Sequence, residues 1–296
     1  MNDRFFRLLC GLASLVIPLL LVLLVARLTF DSLPAWNAFG LSFLWTSDWN
    51  PVLDRYGAAG AVCGTLITTA IAVVVAVPIA LLTACLLVGA PKWLERPLSE
   101  AIDLLAAIPS VIYGIWGLYV LAPVMQSFVI PFLRETLGLA HLPFCDVGSG
   151  GFGIFTAGLV LAIMILPYIS SVARDVFYLT PPLLREAAFG IGCTRYETLR
   201  FIILRHGFRG LLGGVFIGLG RALGETMAVL FVIGNIAKIP DSLFGSGTSI
   251  ASTLAVNFAE SDGLLRATLF ALAFVLFALA ATVQLFAWYC MKPNRS

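Results

Sequence analysis

Tyr178-Leu-Thr-Pro-Pro-Leu-Leu-Arg-Glu-Ala-Ala-Phe-Gly-Ile-Gly-Cys-Thr-Arg-Tyr-Glu-Thr-Leu-Arg-Phe-Ile-Ile-Leu-Arg-His206 is the longest charged segment in a chain that is otherwise mostly apolar. Locally it reads as two short helices joined by a glycine hinge. Thr180 is placed to cap the first helix, with Pro181 at the first helical position, where a missing N–H costs nothing. Gly190 and Gly192 supply the turn, because glycine adopts positive φ without strain. The second helix opens with Thr194-Arg-Tyr-Glu197, a capping box that satisfies two free backbone donors reciprocally. Between two apolar spans, such a helix–turn–helix is a docking knob. An ordinary amphipathic hairpin has the same pattern.

Working outward, the 296 residues are 60% hydrophobic and only 11% charged, with a mean hydropathy of +1.00. Soluble domains carry about 25% charged residues, so this is an integral membrane protein. A net charge of +2 with scattered basic residues does not suggest nucleic-acid binding. The cysteines are Cys10, Cys63, Cys85, Cys145, Cys193 and Cys290. The topology below puts only Cys145 well outside, so no extracellular disulfide pair is expected. No Cys-x-x-Cys or Cys/His cluster suggests a metal, and His141 and His206 lack matched ligands.

Six apolar spans follow from hydropathy. The first is Leu8–Val25, read as a retained anchor, then a Trp-rich segment Thr29–Gly60 suited to the outer interface. The others are expected at Val62–Val88, Ile102–Met125, Gly153–Ser171, Gly210–Asn235 and Leu264–Tyr289. Asp103 is placed at the start of the third span, where it complements the helix dipole. Pro78, Pro109 and Pro167 are expected to kink or break helices that line a cavity. The segment Thr248–Glu260 fits either a short helix that receives a partner or packing on the membrane surface.

Basic residues orient the bundle. With the N-terminus inside, Arg4, Arg7, Lys92, Arg96, Arg174, Arg185, Arg195, Arg200, Arg205, Arg209, Lys292 and Arg295 lie in the cytoplasm. Arg27, Arg55, Arg134, Lys238 and Arg266 lie outside, and Arg221 lies within a span. Twelve against five places both termini and the hairpin in the cytoplasm.

The fifth span contains Gly218-Leu-Gly-Arg-Ala-Leu-Gly-Glu-Thr-Met227. Arg221 stands eleven residues into it, roughly 16 Å deep at 1.5 Å per residue. A charge there costs about 2.5–3.5 kcal/mol on insertion scales and therefore faces protein or water. Arg221 and Glu225 are four apart and, in a helix, share one face with Gly218, Gly214 and Gly210. One reading makes Arg221 a transient counter-charge for a crossing oxyanion, with Glu225 holding it; the other makes the two a structural pair that fixes helix register.

Two resemblances add to this. Glu186-Ala187-Ala188, Gly192, Ile202 and Leu204 resemble the EAA loop of ABC-importer permeases, with Arg205 standing where that family has proline. Leu44-Trp-Thr-Ser-Asp-Trp-Asn-Pro51, Ile108-Pro-Ser-Val-Ile-Tyr-Gly114, Ala162-Ile-Met-Ile-Leu-Pro167, Gly218 to Ala228 and Ser249-Ile-Ala-Ser252 are similar to the PstC-type permeases of phosphate ABC importers. The resemblance implies an all-α membrane protein with six transmembrane helices and the MetI-like fold. Hydropathy divides the chain into an anchor helix at 1–28, an outer loop at 29–61, and a permease core at 62–296 with a coupling loop at 178–206. The resemblance also implies a PstA-type permease partner, a PstB-type ATPase dimer and a periplasmic or extracellular phosphate-binding protein. Glu186, Ala187 and Gly192 are then expected to dock the ATPase, and Arg221 and Glu225 to line the pathway.

No catalytic residue, metal or cofactor is expected: the spans offer no nucleophile with a base, and no Gly-x-x-x-x-Gly-Lys-Ser/Thr loop is present. Arginine suits every tetrahedral oxyanion, so sulfate and molybdate remain open beside phosphate. A stand-alone channel or secondary carrier is physically possible but gives the hairpin nothing to dock.

Overall fold

The computed structural model describes residues 3–132 and 151–292. Most of the glycine-rich loop, with Arg134, His141 and Cys145, lies outside the described residues, as does Arg295. Among the described residues, six helical stretches are long and apolar enough to cross a membrane.

Helix α1 spans Asp3–Phe39, longer than the anchor expected from hydropathy. The expected break near residue 28 is absent: the helix continues from Arg27 to Phe39 and accommodates Pro34 within it. Leu12, Ile17, Leu20 and Leu24 are all exposed, whereas Ala35 and the following Phe43 are buried. A turn of 3₁₀ helix, Gly40–Leu44, leads to a small hairpin, β1 (Trp49–Asn50) and β2 (Arg55–Tyr56). Phe39 stacks on Phe43 and meets Tyr56 edge to face, as Trp49 does, at centroid distances of 5.2–6.3 Å.

Helix α2, Ala59–Gly89, carries Ala72, Ala76, Ala80 and Ala84 at four-residue spacing, all fully buried. Small residues on one face admit a neighbouring backbone, and α5 (Ile154–Tyr178) takes that place through Ile154, Ala157, Leu161 and Ile165. Nearer its start, Gly64 lies beneath the backbone of Thr248, whose carbonyl oxygen is 1.9 Å from where a Cβ would sit. Gly64→Ala is therefore expected to cost roughly 1–3 kcal/mol or more, since a backbone segment must move. The check is thermal unfolding in detergent, with a lowered midpoint expected.

The third expected span, Ile102–Met125, divides into two elements. Helix α3 covers Lys92–Ala107, and α4 covers Ser110–Val129 with two π-helical turns. Ile108, preceding Pro109, is extended at φ −66° and ψ 129°, as the proline ring demands of its predecessor. Helix α3 is amphipathic and buries fully only Ile102. Asp103 consequently sits deep in α3, not at a helix start where it would meet the dipole.

Helix α6, Pro182–Gly190, follows α5 at one end of the bundle. Helix α7 then runs without a break over Arg195–Leu223, through a π-turn at Thr198–Ile203. The second hairpin helix and the fifth span are thus one rod: no proline separates them, and Gly207 is buried against Val176 of α5. Past Leu223 the span expected to reach Asn235 is irregular, apart from α8 (Met227–Leu230).

That irregular chain has a structural use. The backbone N–H groups of Gly153, Ile154 and Phe155 at the start of α5 donate to the carbonyls of Val232, Gly245 and Leu243. Donors that a helix start leaves open are closed by the loop. Helix α9, Ile250–Asn257, follows; its first half is buried, and Ile250 N–H donates to Thr65 Oγ1 at 2.9 Å. The first half of the segment is thus inserted into the protein, while 255–260 is largely exposed. Helix α10, Gly263–Met291, completes the bundle against α1.

Candidate functional site

Two places carry the residues singled out by sequence, and α5 connects them. The first is the hairpin. Its leading helix differs in one detail from expectation: the N-cap is Pro181 and the first helical residue is Pro182, while Thr180 is buried with no partner for its Oγ1. Phe177 backbone O already accepts from Arg185 Nη2 and Thr180 N, which draws this corner tight against α5.

The helix ends in a Schellman turn. Cys193 N donates to Ala188 O and Gly192 N to Phe189 O, both at 3.0 Å, with Gly192 at φ +90°. Thr194 and Glu197 form the expected capping box, Thr194 N to Glu197 Oε2 at 2.8 Å and Glu197 N to Thr194 Oγ1 at 3.2 Å. Glu186, Ala187 and Gly192 are exposed together, beside Leu183, Phe189, Ile191 and Tyr196. Ile191 is 83% exposed. Exposed apolar side chains grouped in one short segment mark a protein or membrane interaction surface.

The second place is the end of α7. Its glycines face α5 closely: a Cβ on Gly210 would meet Val176 at 2.6 Å, on Gly214 Val172 at 2.9 Å, and on Gly218 Ile169 at 2.7 Å. One turn further, the Arg221 guanidinium lies over the Tyr168 ring at 4.2 Å. Tyr168 is near the middle of α5, so the charge stands about halfway along the bundle. Arg221 is nonetheless exposed on the surface of this chain.

The expected pairing of Arg221 with Glu225 does not form. The helix stops at Leu223, so the four-residue spacing no longer places the two side chains on one face. Glu225 Oε1 instead accepts from Ala228 N at 3.2 Å and anchors the start of α8. Among the described residues no ion pair joins the two.

Sequence reasoning missed what lies between these places. Tyr178 Oη donates to Glu95 Oε1 at 2.5 Å, Ser171 Oγ to Asp103 Oδ1 at 2.9 Å, and Tyr168 Oη to Ala106 O at 2.5 Å. Arg174 Nη1 approaches Asp103 Oδ2 at 3.5 Å. These contacts strap α3 along the half of α5 that leads from Arg221 to the hairpin. Exposed pairs contribute about 0–1 kcal/mol each, so their effect is alignment more than stability. Partners 62–83 residues apart leave no local signal; the quoted stretch ending at Pro167 stops one residue short of Tyr168.

A six-span helical bundle with a charge halfway along it, and an exposed knob at one end, has the architecture of a membrane transport subunit. The chain belongs to the family described as binding-protein-dependent transport system inner membrane component, whose profile matches residues 76–289. It is 47% identical over 287 residues (95% of this chain, 87% of the relative) to the phosphate transport system permease protein PstC of Pasteurella multocida. It is 31% identical over 291 residues (96% and 91%) to the probable PstC of Methanocaldococcus jannaschii. Among solved structures, a bacterial ABC transporter that imports alginate superposes with a TM-score of 0.64 at 16% identity, covering 99% of this chain and 98% of that one. The inward-facing MetNI methionine ABC transporter does so at 0.53 and 18%, covering 77% and 89%. These two establish the fold, which is the MetI-like arrangement expected, in a multi-pass inner-membrane protein.

Proposed function

We propose that this chain is the permease subunit of an ATP-driven importer of inorganic phosphate and forms half of the translocation pathway. The observation that carries this is Arg221, exposed halfway along the bundle on a face that no other described part of the chain covers. Hydrocarbon is a costly neighbour for a guanidinium, so that face meets water and a second permease subunit of the PstA type. Arginine matches any tetrahedral oxyanion; the names of the relatives favour phosphate over sulfate or molybdate.

Arg221 then acts as a transient counter-charge, held by Tyr168, while Glu225 fixes the break beside it through Ala228. Weak, temporary contact suits a conduit, because the ion must leave again. With both termini and the hairpin in the cytoplasm, Glu186, Ala187 and Gly192 meet one subunit of a PstB-type ATPase dimer, which hydrolyses the ATP. Residues 62–296 form the pathway core and the first helix is an added anchor. A phosphate-binding protein delivers from outside, toward the open cavity of about 620 Å³ between β1–β2 and the Ala237–Asp241 loop.

Affinity purification of this chain from its own membranes tests the assembly. Recovery of an ATPase and a second permease, with phosphate-stimulated ATP hydrolysis after addition of the binding protein, is the expected result. A chain that purifies alone, or a complex stimulated by sulfate and not by phosphate, contradicts it.

A further inference from the structure

The ring beneath Arg221 carries a hydroxyl at its far end, and that hydroxyl is committed elsewhere. Tyr168 Oη donates to Ala106 O at 2.5 Å, and Tyr113 Oη donates to the neighbouring Leu105 O at 2.8 Å. Both carbonyls belong to the last turn of α3, where a helix leaves its C=O groups without partners of its own. The two tyrosines come from different elements, Tyr113 from α4 and Tyr168 from α5. Tyr113 is only 7% exposed and packs in one apolar cluster with Ala222, the residue after Arg221. The end of α3 is thereby fixed from two sides. The Tyr168 ring is in turn held at both ends, by the α5 backbone and by Ala106. A ring pinned in this way can turn about its own axis but cannot swing aside.

The kind of contact matters as much as its place. An aromatic face attracts a cation laid over it, here with Arg221 Cζ 4.2 Å from the ring centroid. A carboxylate would hold the arginine through its paired N–H groups, the same donors that bind an oxyanion in two-pronged fashion. Among the described residues Arg221 forms no ion pair. The charge is therefore restrained by a neutral ring and left uncompensated by a carboxylate. We propose that Tyr168 is a positioning residue for the transported oxyanion. Its ring, anchored on the carbonyl end of α3, fixes the Arg221 guanidinium in the pathway and leaves its charge for the ion. The proposal rests on Arg221 lining that pathway, as proposed above, and adds which side chain sets the charge and from which helix.

The test keeps the shape of the side chain and changes the electron density of its ring. The full importer, with its binding protein, is reconstituted in vesicles, and initial uptake of radiolabelled inorganic phosphate is normalised to the complex recovered. Position 168 carries tyrosine, phenylalanine, or phenylalanine with one, two or three ring fluorines. Fluorine withdraws charge from the ring face with little added volume, so packing is retained while the attraction for a cation fades. Loss of the whole attraction is expected to lower maximal uptake by about two- to thirtyfold, in steps that follow the number of fluorines. Tyr168→Phe loses the bond to Ala106 and keeps the ring, so it should fall between wild type and the trifluorinated protein. Tyr168→Leu should be at least as low as the latter. Arg221→Ala is measured beside the series. Uptake that falls in Arg221→Ala but stays level across the fluorinated rings overturns this proposal alone and leaves Tyr168 as a cap on α3. Normal uptake in Arg221→Ala removes the pathway reading, and this proposal with it.

Discussion

Arg221→Ala is expected to lower phosphate uptake by roughly a hundredfold or more while leaving the assembled complex at wild-type abundance. Removing one partner of a desolvated charged contact costs about 2–5 kcal/mol, and each 1.36 kcal/mol is a factor of ten. Assembly is expected to be spared because, among the described residues, Arg221 forms no ion pair, and its contact with the Tyr168 ring is worth about 0.5–2 kcal/mol. Arg221→Lys separates charge from shape: a point charge without the planar fork should recover part of the uptake and not all of it. Uptake assays on radiolabelled phosphate, normalised to complex recovered by affinity tag, decide the matter. Normal uptake by a well-expressed Arg221→Ala protein removes the pathway role and leaves Arg221 as a packing residue.

The second large effect is expected at the other end of α5. Glu186→Lys reverses an exposed charge on α6, and among the described residues Glu186 takes part in no ion pair. The fold should be unaffected, and the melting temperature of the isolated permease pair unchanged. Loss should fall on the ATPase: it co-purifies poorly or, where retained, hydrolyses ATP without moving phosphate. Like charges brought together at an interface cost several kcal/mol. Unchanged uptake and unchanged ATPase recovery would sink the docking assignment, and Ala187 and Gly192 with it.

Much of this was readable from the chain itself, for identifiable reasons. Hydropathy locates spans because a bilayer requires about 20 apolar residues, and four of the six expected spans overlie single observed helices. The glycine turn and capping box of the hairpin were legible because each depends on neighbours within five residues. Two readings failed where a local rule met a competing one. Ile102–Met125 is apolar enough for one span, yet Pro109 forces its predecessor out of the helix and divides it. Arg221 and Glu225 have helical spacing, yet the helix ends between them at Leu223. The contacts of Tyr168, Asp103 and Glu95 were invisible because their partners are distant in sequence and carry no periodic pattern.

The π-turn at Thr198–Ile203 places one residue more in its coil than an ordinary helix would. Each residue turns a helix by about 100°, so this single addition sets the angular phase of everything downstream of the hairpin. Without it, Gly207, Gly210, Gly214 and Gly218 would swing a quarter turn or more away from α5, carrying Arg221 off Tyr168. The knob and the charge are thus clocked against each other by one inserted residue.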